Sequence, residues 1–351
     1  MNTPNRKALI IISLFVMGLM VMTLATVFRS DFPKLLDSFH HIRPEQMVFA
    51  LLCTACAYLA FTLSFNGLFE MTPYRIPFDR FFSIMFISYT INFIVSSGGW
   101  AGIAIRAFLL KAQKVPYSVT VPISFAQNMV FNLVLSCVCF GGLWYLRDHP
   151  GLVKGPEHWL IAFFMGGLFL LVGGMLLIFF NRRFRKWVLS ALVRGGDWFS
   201  RLFTRKAARH ERLVEIRANL ETTIGFLHRG KLQLLLVFFW VSMDWFFTAL
   251  TLYFCFHAVG VHLPLGLLMV GFTVFFLTSN INPVPAGLGI SEVALAEVFG
   301  LLGVGFERTM VAALLFRAVF FLLPLGVALA LYLDTMRNFL KSEKQLVKQV
   351  H

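Results

Sequence analysis

The sequence predicts an all-α polytopic membrane protein with about six full transmembrane helices and two re-entrant or broken helical hairpins in an inverted repeat. Of its 351 residues, 58% are hydrophobic and 14% are charged, whereas a soluble domain has roughly a quarter of its residues charged. The apolar residues form runs of about 20 residues, the length that crosses a hydrocarbon core roughly 30 Å thick. The runs do not alternate as barrel strands do, which favours helices that satisfy their own backbone.

The first half, residues 8–180, is predicted to hold four long helices and one interrupted apolar segment. The long runs are 8–28, 46–69, 117–145 and 158–180. Between the second and third runs, two short apolar arms flank a glycine-rich break at 96–102. The first run is long and is followed by Arg29 without a small-residue cleavage site, so it is interpreted as an uncleaved helix rather than a signal peptide.

The second half, residues 232–335, is predicted to repeat this arrangement. A long run at 232–257 is followed by two short arms around a break at 280–289, and then by a last helix at 308–333. Residues 181–231 join the halves as a basic, amphipathic linker, which suits a cytoplasmic segment lying on anionic lipid or a plain loop. The whole chain, 1–351, is therefore predicted to form a single membrane domain.

Lys and Arg placement predicts the orientation of these segments. The linker, the N-terminus and the C-terminal tail carry an excess of basic residues and should be cytoplasmic. Linkers 29–45, 146–157 and 258–264 carry no such excess and should be external. The first interrupted segment then enters from the cytoplasm and the second from outside, as in inverted-repeat transporters. At the breaks, Trp100–Ala104 is aligned with Gly287–Ser291.

The two breaks are candidate ligand sites because irregular backbone at membrane depth is tolerated only inside protein or beside a wet cavity. Glycine permits unusual dihedrals, and the helix that follows a break presents free N–H groups that attract phosphate or carboxylate. The alternative is that both breaks serve packing alone. The candidate residues of the breaks are Gly98, Gly99, Gly102, Pro285, Gly287 and Gly289.

Ionisable residues inside apolar segments are costly and mark function or structural pairing. Arg106 and Glu292 follow the two breaks, and we expect Arg106 to hold a lipid phosphate and Glu292 a cationic headgroup or a coupling proton. Asp244 and Arg317 lie near the middle of their helices, where a structural pair between them is an equal alternative. Asn128 lies with Asn132 on one helix face. The two residues either line a polar path or form hydrogen bonds that hold neighbouring helices together.

Composition also limits the partners and the chemistry. The net charge of +14 is carried by residues that flank apolar segments, which indicates anionic phospholipid rather than nucleic acid. Cys53 and Cys56 have CxxC spacing, but all five cysteines lie in apolar runs and are expected to pack as small apolar residues. The sequence has no Walker, HExxH or GxSxG motif. No enzyme activity, cofactor or metal is therefore expected.

The run Asn282–Glu292 resembles the signature of the lysylphosphatidylglycerol synthase transmembrane region family, Pro-x-Pro-Gly-Gly-Leu-Gly followed by Glu. Ala286 stands where the family usually has the first glycine of this motif. The segment Ser96–Leu110, which contains Arg106, resembles the family's earlier polar break. The resemblance covers roughly 10–335 and implies a flippase-like domain that moves or exposes phospholipids. It also implies Glu292 and Arg106, and less directly Arg317, as site residues.

Some members of this family carry a cytosolic aminoacyl-transferase domain, for which the short tail after residue 333 leaves no room. The leading hypothesis is a lipid flippase that moves an anionic phospholipid, or another phosphate-bearing amphiphile, between leaflets of the inner cell membrane. The alternatives are a non-transporting accessory subunit of a lipid-modification complex and an ion-coupled carrier of small anions. A homo-oligomer and a membrane-enzyme partner are both left open.

Overall fold

The computed structural model describes residues 42–94, 99–149, 231–281 and 289–334, together with scattered residues between 165 and 187. Every regular element in these ranges is helical, which agrees with the predicted all-α class. The predicted helices at 8–28 and 158–180 and the linker at 181–231 lie wholly or largely outside the described residues. The described helices are α1 (Pro44–Phe69), α2 (Phe78–Ile94), α3 (Trp100–Ala112), α4 (Tyr117–Asp148), α5 (Lys231–Ala258), α6 (Leu265–Ile281), α7 (Ile290–Leu301) and α8 (Phe306–Arg317).

Four described helices are long and apolar enough to cross a membrane, and each confirms a predicted span. They are α1, α4, α5 and a continuous helix over Phe306–Asp334. The last of these consists of α8, a π-helical turn at Ala318–Leu322 and the helical residues that follow. Their outward faces carry large apolar side chains suited to lipid, including Leu51, Leu52, Leu235, Phe238, Leu323 and Leu329.

The two interrupted segments form pairs of short helices, α2 with α3 and α6 with α7, and the members of each pair pack on one another. α3 and α7 have 13 and 12 residues, which corresponds to about 20 and 18 Å of helix. Neither reaches across a core of roughly 30 Å. The connecting residues 95–98 and 282–288 lie outside the described ranges.

Helices α1 and α5 pack side by side and run antiparallel. At one end the backbone N–H of Arg43 donates to the carbonyl of Ala258, 3.0 Å away. In the middle the hydroxyls of Thr54 and Thr251 are 3.4 Å apart, and at the other end Gly67 faces Val237. Small residues on α1, among them Ala50, Thr54 and Ala57, are buried and permit this close approach, as is usual between helices in membranes.

The remaining contacts follow a pattern that repeats on the two sides of this helix pair. α1 contacts α2 and α4, and α5 correspondingly contacts α6 and α8. α3 packs on α4 as α7 packs on α8. α4 contacts α5 and α6, whereas the π-helical turn at the end of α8 contacts α1 and α2. Each contact of helices α1–α4 therefore has a counterpart among α5–α8.

A pair of hydrogen bonds has the same internal relationship. The hydroxyl of Tyr58 on α1 donates to the carbonyl of Phe320 over 3.2 Å, and the indole N–H of Trp245 on α5 donates to the carbonyl of Phe131 over 3.1 Å. The donors lie on α1 and α5, which are equivalent in the contact pattern described above. Both acceptors lie fourteen residues after the first residue of α4 or α8. The equivalence therefore extends from helices to single atoms.

The Phe320 carbonyl needs this donor for a local reason. Pro324 follows four residues later and has no N–H to close the usual helical bond. The preceding π-helical turn widens the helix, with the N–H of Leu323 donating to the carbonyl of Ala318. A freed carbonyl in a membrane helix must find another donor, and Tyr58 supplies it.

Candidate functional site

Both second arms of the interrupted segments begin at a glycine with left-handed backbone. Gly99 is the N-cap of α3 with φ +100°, and Gly289 is the N-cap of α7 with φ +82°. Other residues rarely adopt these values. A Cβ added at Gly99 would also lie 2.6 Å from the Cγ atom of Asn128. Three other predicted break residues, Gly98, Pro285 and Gly287, lie outside the described ranges.

The equivalence of the two N-caps corrects the alignment made from the sequence, which paired Gly102 with Gly289. Gly99 is the counterpart of Gly289, so the alignment was wrong by three residues. Gly102 lies inside α3, where a Cβ would be 2.9 Å from the Cβ of Asn92 and 3.0 Å from the carbonyl oxygen of Ser88. Its role in the structure is the close packing of α3 on α2.

Arg106 on α3 is buried, with 4% of its surface exposed. One terminal nitrogen, Nη1, donates to Oε1 of Gln127 over 2.6 Å, and Nε donates to Oγ of Ser88 over 3.3 Å. The guanidinium also lies 5.2 Å from the ring centre of Phe61 and 4.4 Å from that of Phe65. In the part of the chain that the structure describes, no carboxylate pairs with it. Neutral groups therefore hold this buried cation.

Gln127 on α4 orients this arrangement. Its amide nitrogen donates to Oγ of Ser64 over 2.6 Å and to the carbonyl of Phe61 over 3.1 Å. With both amide protons used, its carbonyl oxygen is left to accept from Arg106. Sequence reasoning did not select Gln127, Ser64 or Ser88 as site residues. The sequence signal that could have identified Gln127 was a glutamine inside an apolar run, on the helix that follows Arg106.

Glu292 and Arg317 form a buried ion pair between α7 and α8, through Oε1 of Glu292 and Nε of Arg317. Glu292 lies in the first turn of α7, where the helix dipole favours negative charge. The Arg317 guanidinium lies 5.4 Å from the ring centre of Phe275 and 5.0 Å from that of Phe321. Arg317 directly precedes the π-helical turn, a feature often found at functional sites.

Asp244 is fully buried on α5 and is not the partner of Arg317, which was the structural pairing considered from the sequence. Its two carboxylate oxygens accept from the hydroxyl of Tyr89 at 2.7 and 2.9 Å. Among the described residues it has no cationic partner. Its partner Tyr89 lies 155 positions away in the chain, so the local sequence around Asp244 could not predict this hydrogen bond.

Asn128 occupies the position in α4 that Arg317 occupies in α8, eleven residues after the helix start. It lies beside Gly99, whereas Arg317 lies beside Glu292 in the first turn after Gly289. Asn132 donates to the carbonyl of Asn128 within the same helix, over 2.7 Å. At the start of each second arm, a polar residue of the following long helix therefore lies in contact: Asn128 at Gly99 and Arg317 at Glu292.

The arms that lead into the two breaks also meet. Phe93, near the end of α2, has its ring centre 6.3 Å from that of Phe276 on α6 and 5.3 Å from that of Phe321. Arg317 lies over Phe321, so one aromatic layer separates it from the first arm. Arg106 is not part of this cluster, and within the described ranges no hydrogen bond or ion pair joins it to Glu292 or Asp244. The described residues therefore include three separate buried polar clusters, centred on Arg106, on Glu292 with Arg317, and on Asp244.

Comparison with known proteins places this arrangement among membrane proteins. Residues 9–328 match the family described as "Lysylphosphatidylglycerol synthase TM region". A UPF0104 membrane protein of Methanothermobacter thermautotrophicus is 25% identical over 93% of this chain and 94% of its own length. A phosphatidylglycerol lysyltransferase of Staphylococcus haemolyticus is 23% identical over 98% of this chain, which spans 36% of that relative. A phosphatidylglycerol lysyltransferase of Staphylococcus aureus is 29% identical over 25% of this chain and 11% of its own length. With nearly its whole length matched, this chain belongs to the lysylphosphatidylglycerol synthase transmembrane region family.

Proposed function

We propose that the protein moves an anionic phospholipid, or another phosphate-bearing amphiphile, between the two leaflets of the cell membrane. The observation that carries this proposal is Arg106, a buried guanidinium held by Gln127 and Ser88 and without a carboxylate partner among the described residues. Guanidinium matches phosphate in charge and in bidentate geometry. A phosphate that reached Arg106 would supply the countercharge that the described residues do not provide.

An inverted repeat with two re-entrant hairpins gives this site a route to both leaflets. The antiparallel α1 and α5, the matching contact pattern and the equivalent hydrogen bonds from Tyr58 and Trp245 support the repeat. The short lengths of α3 and α7 support hairpins that turn back inside the membrane. Binding at the interface of such repeats is the arrangement of many transporters.

The orientation follows from charge, with both termini and the basic linker in the cytoplasm. The first hairpin then opens to the cytoplasm and the second to the outside. Cysteines introduced at 147–157 and at 205–215 should be labelled from opposite sides of the membrane. Labelling of both stretches from outside would overturn this orientation.

The other candidate residues have roles that depend on this hairpin arrangement. Separation of Glu292 from Arg317 would free one arginine for phosphate and one carboxylate for an ammonium group or a proton. Asn128, at the position equivalent to Arg317, would contact the headgroup from the first break. Gly98, Gly99, Pro285, Gly287 and Gly289 would let the backbone approach it, and Asp244 would carry a coupling proton.

A second candidate function is favoured by the comparisons. Because the chain is similar to about a third of a phosphatidylglycerol lysyltransferase, it would serve as the membrane subunit of a lipid-modification complex and bind a membrane enzyme. A third candidate, an ion-coupled carrier of small anions, would use the same buried cation at Arg106. These candidates differ in whether the purified chain alone exchanges lipid or solute.

The deciding experiment is lipid exchange in proteoliposomes that contain fluorescent phosphatidylglycerol, with dithionite quenching of the outer leaflet. We expect Arg106→Gln to slow exchange at least about tenfold, since it removes a charge-assisted contact, and Arg106→Lys to have an intermediate rate. Arg308→Gln, at an exposed arginine of α8, is the matched control and should leave the rate unchanged.

The outcomes separate the three functions. Unchanged exchange in both Arg106→Gln and Glu292→Gln would reject the flippase. No exchange by the wild-type chain, with binding to a membrane enzyme, would support the accessory subunit. Solute uptake without lipid exchange would support the anion carrier.

A further inference from the structure

A cavity of about 540 Å³ opens at the end of α1, away from the clusters described above. It lies between the C-terminus of α1, the α1–α2 connection, the first turn of α2 and Gln233 of α5. Its polar lining includes a carboxylate, a guanidinium and two amides. The lining residues are Asn66, Phe69, Glu70, Tyr74, Arg75, Ile76, Phe78, Phe81 and Gln233.

The charges in this cavity are opposite and only partly satisfied. Asn66 donates to Oε1 of Glu70 over 2.6 Å, which orients the carboxylate and leaves Oε2 without a hydrogen bond among the described residues. Nη1 of Arg75 donates to the carbonyls of Thr72 and Tyr74 at 2.9 and 3.1 Å. Those bonds fix the guanidinium, whose other nitrogens make no hydrogen bond within the described ranges.

The helix termini strengthen this separation of charge. Glu70 caps the C-terminus of α1, where unpaired carbonyls favour a cation. Phe78 belongs to the first turn of α2, where free N–H groups favour an anion. Asp79, in the first turn of α2, is exposed and is not part of the lining. The cavity therefore has a negative side at α1 and a positive side at α2 and Arg75.

One layer of phenylalanines separates the cavity from Arg106. Phe69 and Phe81 line the cavity, with ring centres 5.1 Å apart. Both contact Phe65, at 6.2 and 5.9 Å, and the ring centre of Phe65 lies 4.4 Å from the Arg106 guanidinium. A group leaving the cavity past these rings would reach Arg106 directly.

We propose that this cavity binds a zwitterionic headgroup that carries both a phosphate and an ammonium group. Arg75 and the N-terminus of α2 bind the phosphate, and Glu70 with the C-terminus of α1 binds the ammonium. The same chemistry occurs in a lipid headgroup such as phosphoethanolamine and in the free phosphoethanolamine molecule. The binding stands on the cavity alone, and only the passage from the cavity to Arg106 rests on the proposed lipid transport.

The first test is calorimetric titration of the full chain in detergent with O-phosphoethanolamine, glycerol 1-phosphate and ethanolamine. We expect O-phosphoethanolamine to bind at least about tenfold more tightly than either single-charge compound, since each charged contact contributes about that factor. Glu70→Gln should remove the advantage over glycerol 1-phosphate, and Arg75→Gln should remove the advantage over ethanolamine. Glu297→Gln and Arg80→Gln, at exposed residues outside the lining, are the matched controls.

The second test identifies the source of the headgroup, using native mass spectrometry of the chain released from nanodiscs of phosphatidylethanolamine and phosphatidylglycerol. Preferential retention of phosphatidylethanolamine that is lost in Glu70→Gln supports the lipid as ligand. Binding of the soluble compound without Glu70-dependent lipid retention supports the free zwitterion. Equal binding of all three soluble compounds, or no response to either variant in both tests, would overturn the proposal. Loss of lipid exchange with intact headgroup binding would instead contradict only the transport function.

Discussion

Two buried arginines have contrasting surroundings in this protein. Arg317 faces the carboxylate of Glu292, whereas Arg106 has only neutral hydrogen-bond partners among the described residues. A buried ion pair adds little net stability, but removal of one partner leaves an uncompensated charge. The two sites should therefore respond differently to neutralisation.

At the Glu292–Arg317 pair we expect each single change, Glu292→Gln or Arg317→Gln, to lower the free energy of unfolding by about 3–5 kcal/mol. The double variant should lose less than the sum, because no charge is left buried alone. Unfolding of the purified protein in mixed micelles measures both effects, with Glu297→Gln as the exposed control. Additive losses would show that the two groups are not coupled.

Gly99 is a position where even one added carbon atom should destabilise the protein. Its φ of +100° and its contact with Asn128 both exclude a side chain. Gly99→Ala should destabilise the protein by about 1–3 kcal/mol. Adding Asn128→Ala should restore part of the loss, since it removes the clash but not the backbone strain. Gly300→Ala, in helix α7 where no atom lies within 4 Å of an added Cβ, should be neutral or slightly stabilising. Equal stability of Gly99→Ala and Gly300→Ala would refute this reading.

At the scale of single helices, much of the structure could be predicted because helix length is encoded locally. The runs predicted at 46–69, 117–145 and 232–257 correspond to Pro44–Phe69, Tyr117–Asp148 and Leu232–Ala258. The interruptions after α2 and α6 were also visible, because glycine and proline mark them in the sequence. Length, hydropathy and these two residue types are properties of neighbouring positions.

Contacts between distant residues could not be predicted in the same way. The partner of Asp244 is Tyr89, and that of Arg317 is Glu292, although pairing by charge alone suggested Asp244 with Arg317. A charged residue in an apolar run indicates a need for a partner but not its identity. Similarly, glycine at residue 102 serves helix packing rather than the turn, a distinction that depends on the neighbouring helix.

The last helix offers a test of how a proline is accommodated. Tyr58→Phe should cost about 1–3 kcal/mol, because the Phe320 carbonyl then loses its donor and Pro324 cannot provide one. Pro324→Ala should rescue Tyr58→Phe in unfolding measurements. Failure of this rescue would mean that the carbonyl is satisfied by other means.

At the scale of the whole molecule, the antiparallel pair of α1 and α5 is one of the contacts that join the two halves of the described structure. The proposed transport requires the arms near the breaks to separate while this pair stays together. The hydroxyls of Thr54 and Thr251 mark the centre of the pair, and Phe93 and Phe276 mark the meeting point of the arms.

Cross-linking distinguishes the fixed from the moving contacts. In a background without native cysteines, Thr54→Cys with Thr251→Cys should be oxidised to a cross-link that leaves lipid exchange unchanged. Phe93→Cys with Phe276→Cys, joined by a short bifunctional reagent, should block exchange, and the uncrosslinked double variant is its control. Exchange that continues after efficient bridging of the arms would exclude their separation as a step in transport.

The hydrogen bonds made by Tyr58 and Trp245 occupy equivalent places, yet a phenol and an indole differ in their hydrogen-bonding capacity. The phenol can donate and accept at once, and the hydroxyl of Thr90 lies 3.4 Å from it, whereas the indole can only donate. The carbonyl held by Tyr58 also lacks the helical N–H that the carbonyl held by Trp245 has. The two halves are therefore fastened to one another by unequal hydrogen bonds at equivalent positions. Under the proposed transport, this inequality would make one conformation the preferred resting state.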